Sequence, residues 1–415
     1  FTNQAAKELR GRLETALGGK NAVKDITIGT FHAICLRLLK DDKVLIGENE
    51  VREVARDILE ARGSKLSPEV FVSMISAVKN GMECDVDQEW YAAYQEALAA
   101  MHARDLDDLL LDALKLDLEN FPNFQYLLVD EFQDINPVQL KLVEQWGKRH
   151  LFVIGDPDQS IYGFRGANAA CFEVLQERFP KLRTIHLREN YRSSPEVLEA
   201  ALAVISHNPG GERHLSCHYS GDVPVRMITA DTPFAEAVWI AKEIGRMTGG
   251  IDMLDAQTYA AERQLLRSFS DIAVLCRTRK QLELLETCLR HDDIPCVISG
   301  RETYLQDDAV RSAICFFRWL LKPSDTFALR ITLKYFWDFP EDLILHLEST
   351  FAEARILDLS LLRQEAELDA HVEVLLQAVE CYASQMSCEK PRAILESFLS
   401  GYESRAVTKL FYTAI

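Results

Sequence analysis
Two short apolar runs that end abruptly in carboxylates constrain this chain most. The first is Leu127-Leu128-Val129, followed by Asp130-Glu131-Phe132-Gln133-Asp134. The second is Val153-Ile154, followed by Gly155-Asp156-Pro157-Asp158-Gln159-Ser160-Ile161-Tyr162. A buried parallel strand looks like this when its carboxyl end opens onto a ligand site, so the expected fold class is α/β. Asp130 and Glu131 suit a magnesium ion and an attacking water. Magnesium takes oxygen ligands, keeps several waters and needs only one or two carboxylates. A neighbouring Glu can orient or deprotonate the water. A bare Asp-Glu pair is more often an acidic surface turn; the apolar residues ahead of it, and the repeat of the design at 151–156, favour a ligand site.

The segment Gly155 to Gly166 is the most specific in the chain. Gln159, just past a strand, can hydrogen-bond a terminal phosphate or the water. Tyr162 and Phe164 flank Gly163, and Arg165 follows. Core aromatics are the plainer reading, but flanking glycines and an adjacent Arg favour an exposed platform. Such platforms stack unpaired bases at roughly 1–3 kcal/mol each. Further on, Tyr191 and Arg192 in Glu189-Asn190-Tyr191-Arg192-Ser193-Ser194 pair an aromatic with a guanidinium, suited to an adenine and its phosphates. Taken by itself this is a capped helix with a charged entry. The combined expectation is nucleoside triphosphate hydrolysis beside a grip for flat-faced groups.

Composition sets wider bounds. A chain of 415 residues exceeds one ordinary core, so two to four domains are expected. No apolar run approaches the roughly 20 residues of a membrane span, no secretory leader is evident, and no membrane partner is expected. The chain begins at Phe1, as an internal fragment would. Its ten cysteines are scattered through apolar segments without a CxxC, as buried thiols of a reducing compartment are. His214-x-x-Cys217-His218 lacks a second ligand pair at zinc spacing, so no structural metal is expected there. The net charge of -18 argues against nucleic acid only weakly, because a groove needs only local positive charge.

Along the chain, Ala6, Leu9, Leu13 and Leu17 predict a helix capped by Thr2 or Asn3 and ended by Gly18-Gly19. Residues 26–32 read as a strand turning into a helix. Residues 41–117 read as a helical insert, and strand–helix alternation resumes from Phe124 to about 200. Val225–Ile228 and Ile272–Leu275 predict strands of a second alternating block, and the pattern is helical after about 309.

These motifs, in this order, resemble the UvrD/Rep family of superfamily 1 DNA helicases. Phe1-Thr2-Asn3-Gln4-Ala5-Ala6 is similar to the family's FTNKAA segment, Thr30-Phe31-His32-Ala33 to TFHS, and Asp105 to Leu110 to LDFDDLL. VDEFQD at 129–134 is the family's magnesium motif, residues 155–167 resemble GDDDQSIYxWRGA, and ENYRSS at 189–194 is unaltered. Residues 272–279 resemble the strand ending in YRTN. The resemblance runs to about Asp325.

It implies two RecA-like P-loop NTPase domains with parallel sheets, each carrying a helical insertion subdomain and both incomplete here. The expected boundaries are 1–40 with 118–195 for the first domain, 41–117 for its insert, 196–308 for the second and 309–415 for the second insert. It also implies an ATP- and Mg2+-dependent 3′–5′ motor on single-stranded DNA and single-/double-strand junctions, with repair or replication proteins as partners and a bacterial-type cytoplasmic, nucleoid-associated location. Asp130 and Glu131 would hold magnesium and activate water, Gln159 would couple the γ-phosphate to the DNA, Tyr191 would stack on adenine and Arg192 would reach the γ-phosphate. Phe1, Thr2, Asn3, His32, Tyr162, Phe164, Arg165 and Arg277 would line the DNA track.

Some residues depart from the family pattern. Phe164 stands where the family has Trp, Pro157 where it has Asp, Gln4 where it has Lys and Arg279 where it has Asn. The phosphate loop GxxxxGK[ST] does not occur in these residues; Gly18-Gly19-Lys20-Asn21 follows a helix and lacks the Ser/Thr. The loop is expected ahead of Phe1 and the later motifs after Ile415, so the isolated residues are expected not to hydrolyse ATP appreciably. The rival readings are the helicase part of a nuclease-helicase, a non-hydrolysing DNA-binding scaffold, and a nucleotide-dependent enzyme with no nucleic-acid role. The last leaves residues 162–165 unexplained.

Overall fold
The computed structural model describes residues 3–84, 86–116, 124–163, 170–208, 213–219, 224–249, 267–298, 307–354, 356–386 and 388–400. The chain divides into two compact units, one from residues 1–186 and 304–415 and the other from 187–303.

In the first unit, α1 (Asn3–Ala16) is followed by α2 (Phe31–Leu39), β1 (Val44–Leu45), α3 (Glu48–Ala61), α4 (Pro68–Lys79) and α5 (Gln88–Ala100). Then come β2 (Ala103–Arg104), α6 (Leu106–Leu114), β3 (Tyr126–Val129), α7 (Pro137–Trp146), β4 (His150–Val153) and α8 (Cys171–Arg178). Local chemistry explains the helix starts. Ser67 accepts a bond from Val70 N ahead of Pro68, and Asn136 and Gln139 form a capping box ahead of Pro137. β1 runs parallel to β2, and β3 runs parallel to β4 with Tyr126 opposite His150 and Val129 opposite Val153. The parallel α/β architecture is therefore present.

Val129, with Leu127, Leu151 and Val153, faces a core of Phe132, Ile135, Val143, Cys171 and Leu175. Tyr126, Leu128 and Phe152 are exposed instead. Side chains alternate across a strand, so within this chain one face of the β3–β4 pair is buried and the other is exposed. The strand expected at 26–28 is not formed as a paired strand among the described residues.

The second unit contains β5 (Glu189–Asn190), α9 (Pro195–Ile205), β6 (Ser216–Cys217), α10 (Pro233–Met247) and α11 (Arg279–His291), with β5 parallel to β6. α10 and α11 enclose Ala237, Ala241, Ile244, Leu285, Cys288 and Leu289. The strands expected at 225–228 and 272–275 are not paired into a sheet among the described residues; Ile272 and Val274 still lie on the α10–α11 core.

Glu243 ties residue 226 to α10, receiving both Arg226 and Arg246. Those hydrogen bonds, Arg246 first, hold its carboxyl down at about 2, against burial that acts the other way. Its stabilising effect is therefore full above the ordinary value of 4.5 and fades as pH falls from there to about 2. Glu243→Gln is expected to cost about 1–2 kcal/mol at neutral pH. Urea unfolding should show the deficit shrinking on acidification.

The remaining helices, α12 (Asp308–Leu321), α13 (Thr326–Tyr335), α14 (Glu341–Phe351), α15 (Leu359–Leu368), α16 (Ala370–Gln385) and α17 (Pro391–Phe398), return to the first unit. They share one apolar core with α3 to α5, in which Phe71, Ile75 and Tyr94 meet Phe316, Trp319 and Phe351. A charged seam borders this core. Glu50 pairs with Arg318 at 2.9 Å, Glu53 with Lys334 at 2.9 Å and Asp57 with Arg330 at 3.2 Å. The two segments read from sequence as separate helical inserts thus bury their apolar faces together.

Candidate nucleotide and nucleic-acid site
The register of β3 and β4 carries both strands to a common edge, where Asp130-Glu131 and Gly155-Asp156 emerge side by side. The ladder continues past the strands: Ile154 N donates to Val129 O and Phe132 N to Ile154 O, both at 2.9 Å. Phe132 is wholly buried and packs edge-on against Phe172 at 5.1 Å. Between them Glu131 adopts a left-handed backbone, φ 49 and ψ 48. Such a conformation is uncommon outside glycine and recurs at functional sites. Asp130 Oδ1 accepts from Glu131 N at 3.0 Å.

Gln133 joins the two edges. Its Nε2 donates to Glu131 Oε2 at 2.5 Å, and its Oε1 accepts from Asp156 N at 3.0 Å. Asp156 Oδ2 accepts from Gln159 Nε2 at 2.8 Å. Glu131 and Gln159, both singled out from sequence, are thereby linked through Gln133 and Asp156. Neither linker was given a role by sequence reasoning, although an amide two residues past a strand-end carboxylate pair was the available signal.

Among the described residues, Asp130, Glu131, Asp134 and Asp156 have no Lys or Arg partner, and Asp134 Oδ1 is buried without a hydrogen bond. Burial, and then the Glu131 charge, push the Asp134 carboxyl up. Oxygen donors with uncompensated charge fit a hard divalent cation. No cluster of three metal-binding side chains occurs among the described residues.

Behind this edge lies a buried polar cluster from the Asp105–Leu110 motif. Lys79 Nζ sits 2.6 Å from Asp105 Oδ2 and 2.8 Å from Asp108 Oδ2, and Tyr94 OH donates to Asp105 Oδ2 at 2.9 Å. Asn80 Nδ2 donates to Asp107 Oδ1 at 2.8 Å and Asn136 Nδ2 to Asn80 Oδ1 at 2.6 Å. The helical insert is thus fixed to the N-terminus of α7, six residues past Asp130. Burial and the Asp105 charge raise Asp108, and burial raises Tyr94.

The candidate DNA-facing residues are partly assembled. Thr30 caps α2 through Ala33 N at 3.2 Å, and its hydroxyl donates to Asn3 Oδ1 at 3.4 Å. Asn3 therefore stands beside the turn that starts with Phe31-His32. Burial lowers the His32 imidazole, opposed by Asp107, so it is neutral at pH 7. Tyr162 is part-exposed, and a Cβ on Gly163 would meet nothing within 4 Å, as an open platform requires. Phe1, Thr2, Phe164 and Arg165 lie outside the described residues.

In the second unit, Asn190 Oδ1 accepts from Arg192 N at 3.1 Å and Ser193 N at 2.9 Å, presenting Tyr191 and Arg192 to solvent at the end of β5. One face of Tyr191 stacks on His218, centroids 4.7 Å apart and planes 13° apart. The Tyr191 side chain is still 71% exposed, which leaves area for a base. Arg277 is exposed just ahead of α11 and does not join Tyr191 and Arg192 in any described contact.

Residues 1–180 match the family model described as the UvrD/REP helicase N-terminal domain, and residues 185–380 match that of the UvrD-like helicase C-terminal domain. The chain is 30% identical over 365 residues to a Staphylococcus epidermidis protein named ATP-dependent DNA helicase PcrA. It is 28% identical over 365 residues to a Staphylococcus aureus protein of the same name. Each alignment takes in 80% of this chain and 48% of the relative, so the chain spans about half the length of the curated relatives it matches. The second match continues well past Asp325, where legible motifs stop. With matches to both halves of one family and parallel strands ending together at the motif carboxylates, this chain belongs to the UvrD/Rep helicase family and has its α/β, RecA-like fold.

Proposed function
We propose that the intact protein is an ATP-dependent DNA helicase or translocase moving 3′–5′ on single-stranded DNA, serving repair or replication at single-/double-strand junctions. The observation that carries this reading is the joined edge of β3 and β4, where Glu131 and Gln159 share one hydrogen-bonded chain. Asp130, with Glu131, would hold Mg2+, which supplies charge neutralisation on the ATP phosphates. Glu131 orients the attacking water and accepts its proton. Gln159 would sense the γ-phosphate, and it is three residues from the Tyr162 platform. Tyr191 offers a stacking face to adenine, and Arg192 brings positive charge to the phosphates. Asn3, His32 and Tyr162, with Phe1, Thr2, Phe164, Arg165 and Arg277, contact the DNA strand. Segments 41–117 and 309–415 act as the helical inserts of the two motor domains, 1–40 with 118–195 and 196–308.

Direction is read by streptavidin displacement from end-biotinylated oligonucleotides. The full-length protein is expected to strip a 5′-terminal streptavidin in an ATP-dependent manner and to leave a 3′-terminal one in place. Preference for the 3′ end, or equal release without ATP, would contradict the motor as described.

A further inference from the structure
Gln133 is 1% exposed. Its side-chain amide bonds to Glu131 on one strand end and to Asp156 on the other, and its backbone carbonyl accepts from Ser160 Oγ at 3.3 Å. Space for it depends on Gly155, where a Cβ would lie 2.3 Å from Gln133 Oε1 and 2.9 Å from Phe132 N. A buried amide must satisfy both its donor and its acceptor. Here the donor is spent on a carboxylate whose own backbone is left-handed, a conformation costing about 1–3 kcal/mol that persists only under restraint from its surroundings. The main chain of Glu131 is held by the ladder on either side. Its carboxylate has one described protein partner, Gln133.

We propose that Gln133 is a positioning residue for ATP hydrolysis: it fixes the Glu131 carboxylate in one orientation and registers it against the turn bearing Gln159. The inference rests on Glu131 as the water-activating group. Only an amide of this length satisfies both ends. A carboxylate at 133 would repel Glu131, and a thioether would bond to neither edge. Asp156 lies beyond Gln133 from Glu131, so its bond to the amide sets the direction in which the donor points.

The test uses Gln133→Glu, Gln133→Met and Gly155→Ala in the full-length protein beside Glu131→Gln. It reads kcat and KM for ATP, affinity for a fluorescent ATP analogue with Mg2+, and the thermal midpoint. The expected result is a fall in kcat of about 10–100-fold in both Gln133 variants, with KM and analogue affinity unchanged. Gly155→Ala, whose Cβ would press on the Gln133 amide and also on the Phe132 backbone, should lower kcat in the same direction, with the thermal midpoint separating that loss from misfolding. Wild-type kcat in folded Gln133→Met, alongside an inactive Glu131→Gln, would overturn the inference alone. So would a kcat loss that tracks only the loss of folded protein. Wild-type kcat in Glu131→Gln would overturn the reading beneath it as well.

Discussion

Lys79→Met is expected to destabilise the first unit by about 3–5 kcal/mol, the range for removing one partner of a buried ion pair. The Lys79 side chain is fully buried, with its ammonium between Asp105 and Asp108, whose side chains are only 9% and 13% exposed, and 4.8 Å from the Tyr94 ring centre. Methionine fills nearly the same volume, so little of the loss comes from a cavity. What remains is two carboxylates facing each other without a cation. Burial and Asp105 already raise the Asp108 carboxyl in the intact cluster, and losing Lys79 raises it further. Protonation relieves the repulsion, so the deficit should narrow as pH falls from neutral toward about 4. Adding Asp108→Asn should restore part of the loss. Urea midpoints of the three proteins at both pH values check this; equal midpoints at neutral pH would show that the cluster contributes little.

Glu131→Gln is expected to lower ATP turnover by about 10²–10⁴-fold, the span for loss of a positioned general base. Glutamine can keep the left-handed backbone and can still bond to Gln133 through its own oxygen, so ATP affinity should stay near wild type. Asp130→Asn should behave differently: it removes the proposed magnesium ligand and raises KM for ATP as well. Steady-state kinetics across a magnesium titration separates the two. A KM effect in Glu131→Gln with unchanged kcat would assign the carboxylate to binding and leave the base unassigned.

The strand edge was legible because strand-end chemistry is local. Apolar runs stopping at Asp130 and Asp156 announce an edge, and the pairing of β3 with β4 brings those positions together. The helix start at Ser194 was equally plain, since a cap acts within three residues. What escaped was whatever depends on a distant partner. Periodicity shows that α3 has an apolar face but not that α12 and α13 cover it. Glu53 reads in sequence as a solvated charge, yet it is buried against Lys334, Arg56 and Tyr335. Gln133 was passed over because its two bonds join segments 23 residues apart.

A DNA-coupled ATPase built on the β3–β4 edge is put to the test by steady-state ATP hydrolysis of the full-length protein with and without single-stranded DNA. A low basal rate, strong stimulation by the DNA, and loss of that stimulated rate in Glu131→Gln are expected. A rate indifferent to DNA, or tight DNA binding with no hydrolysis at all, would contradict it and leave a DNA-binding protein on a motor fold.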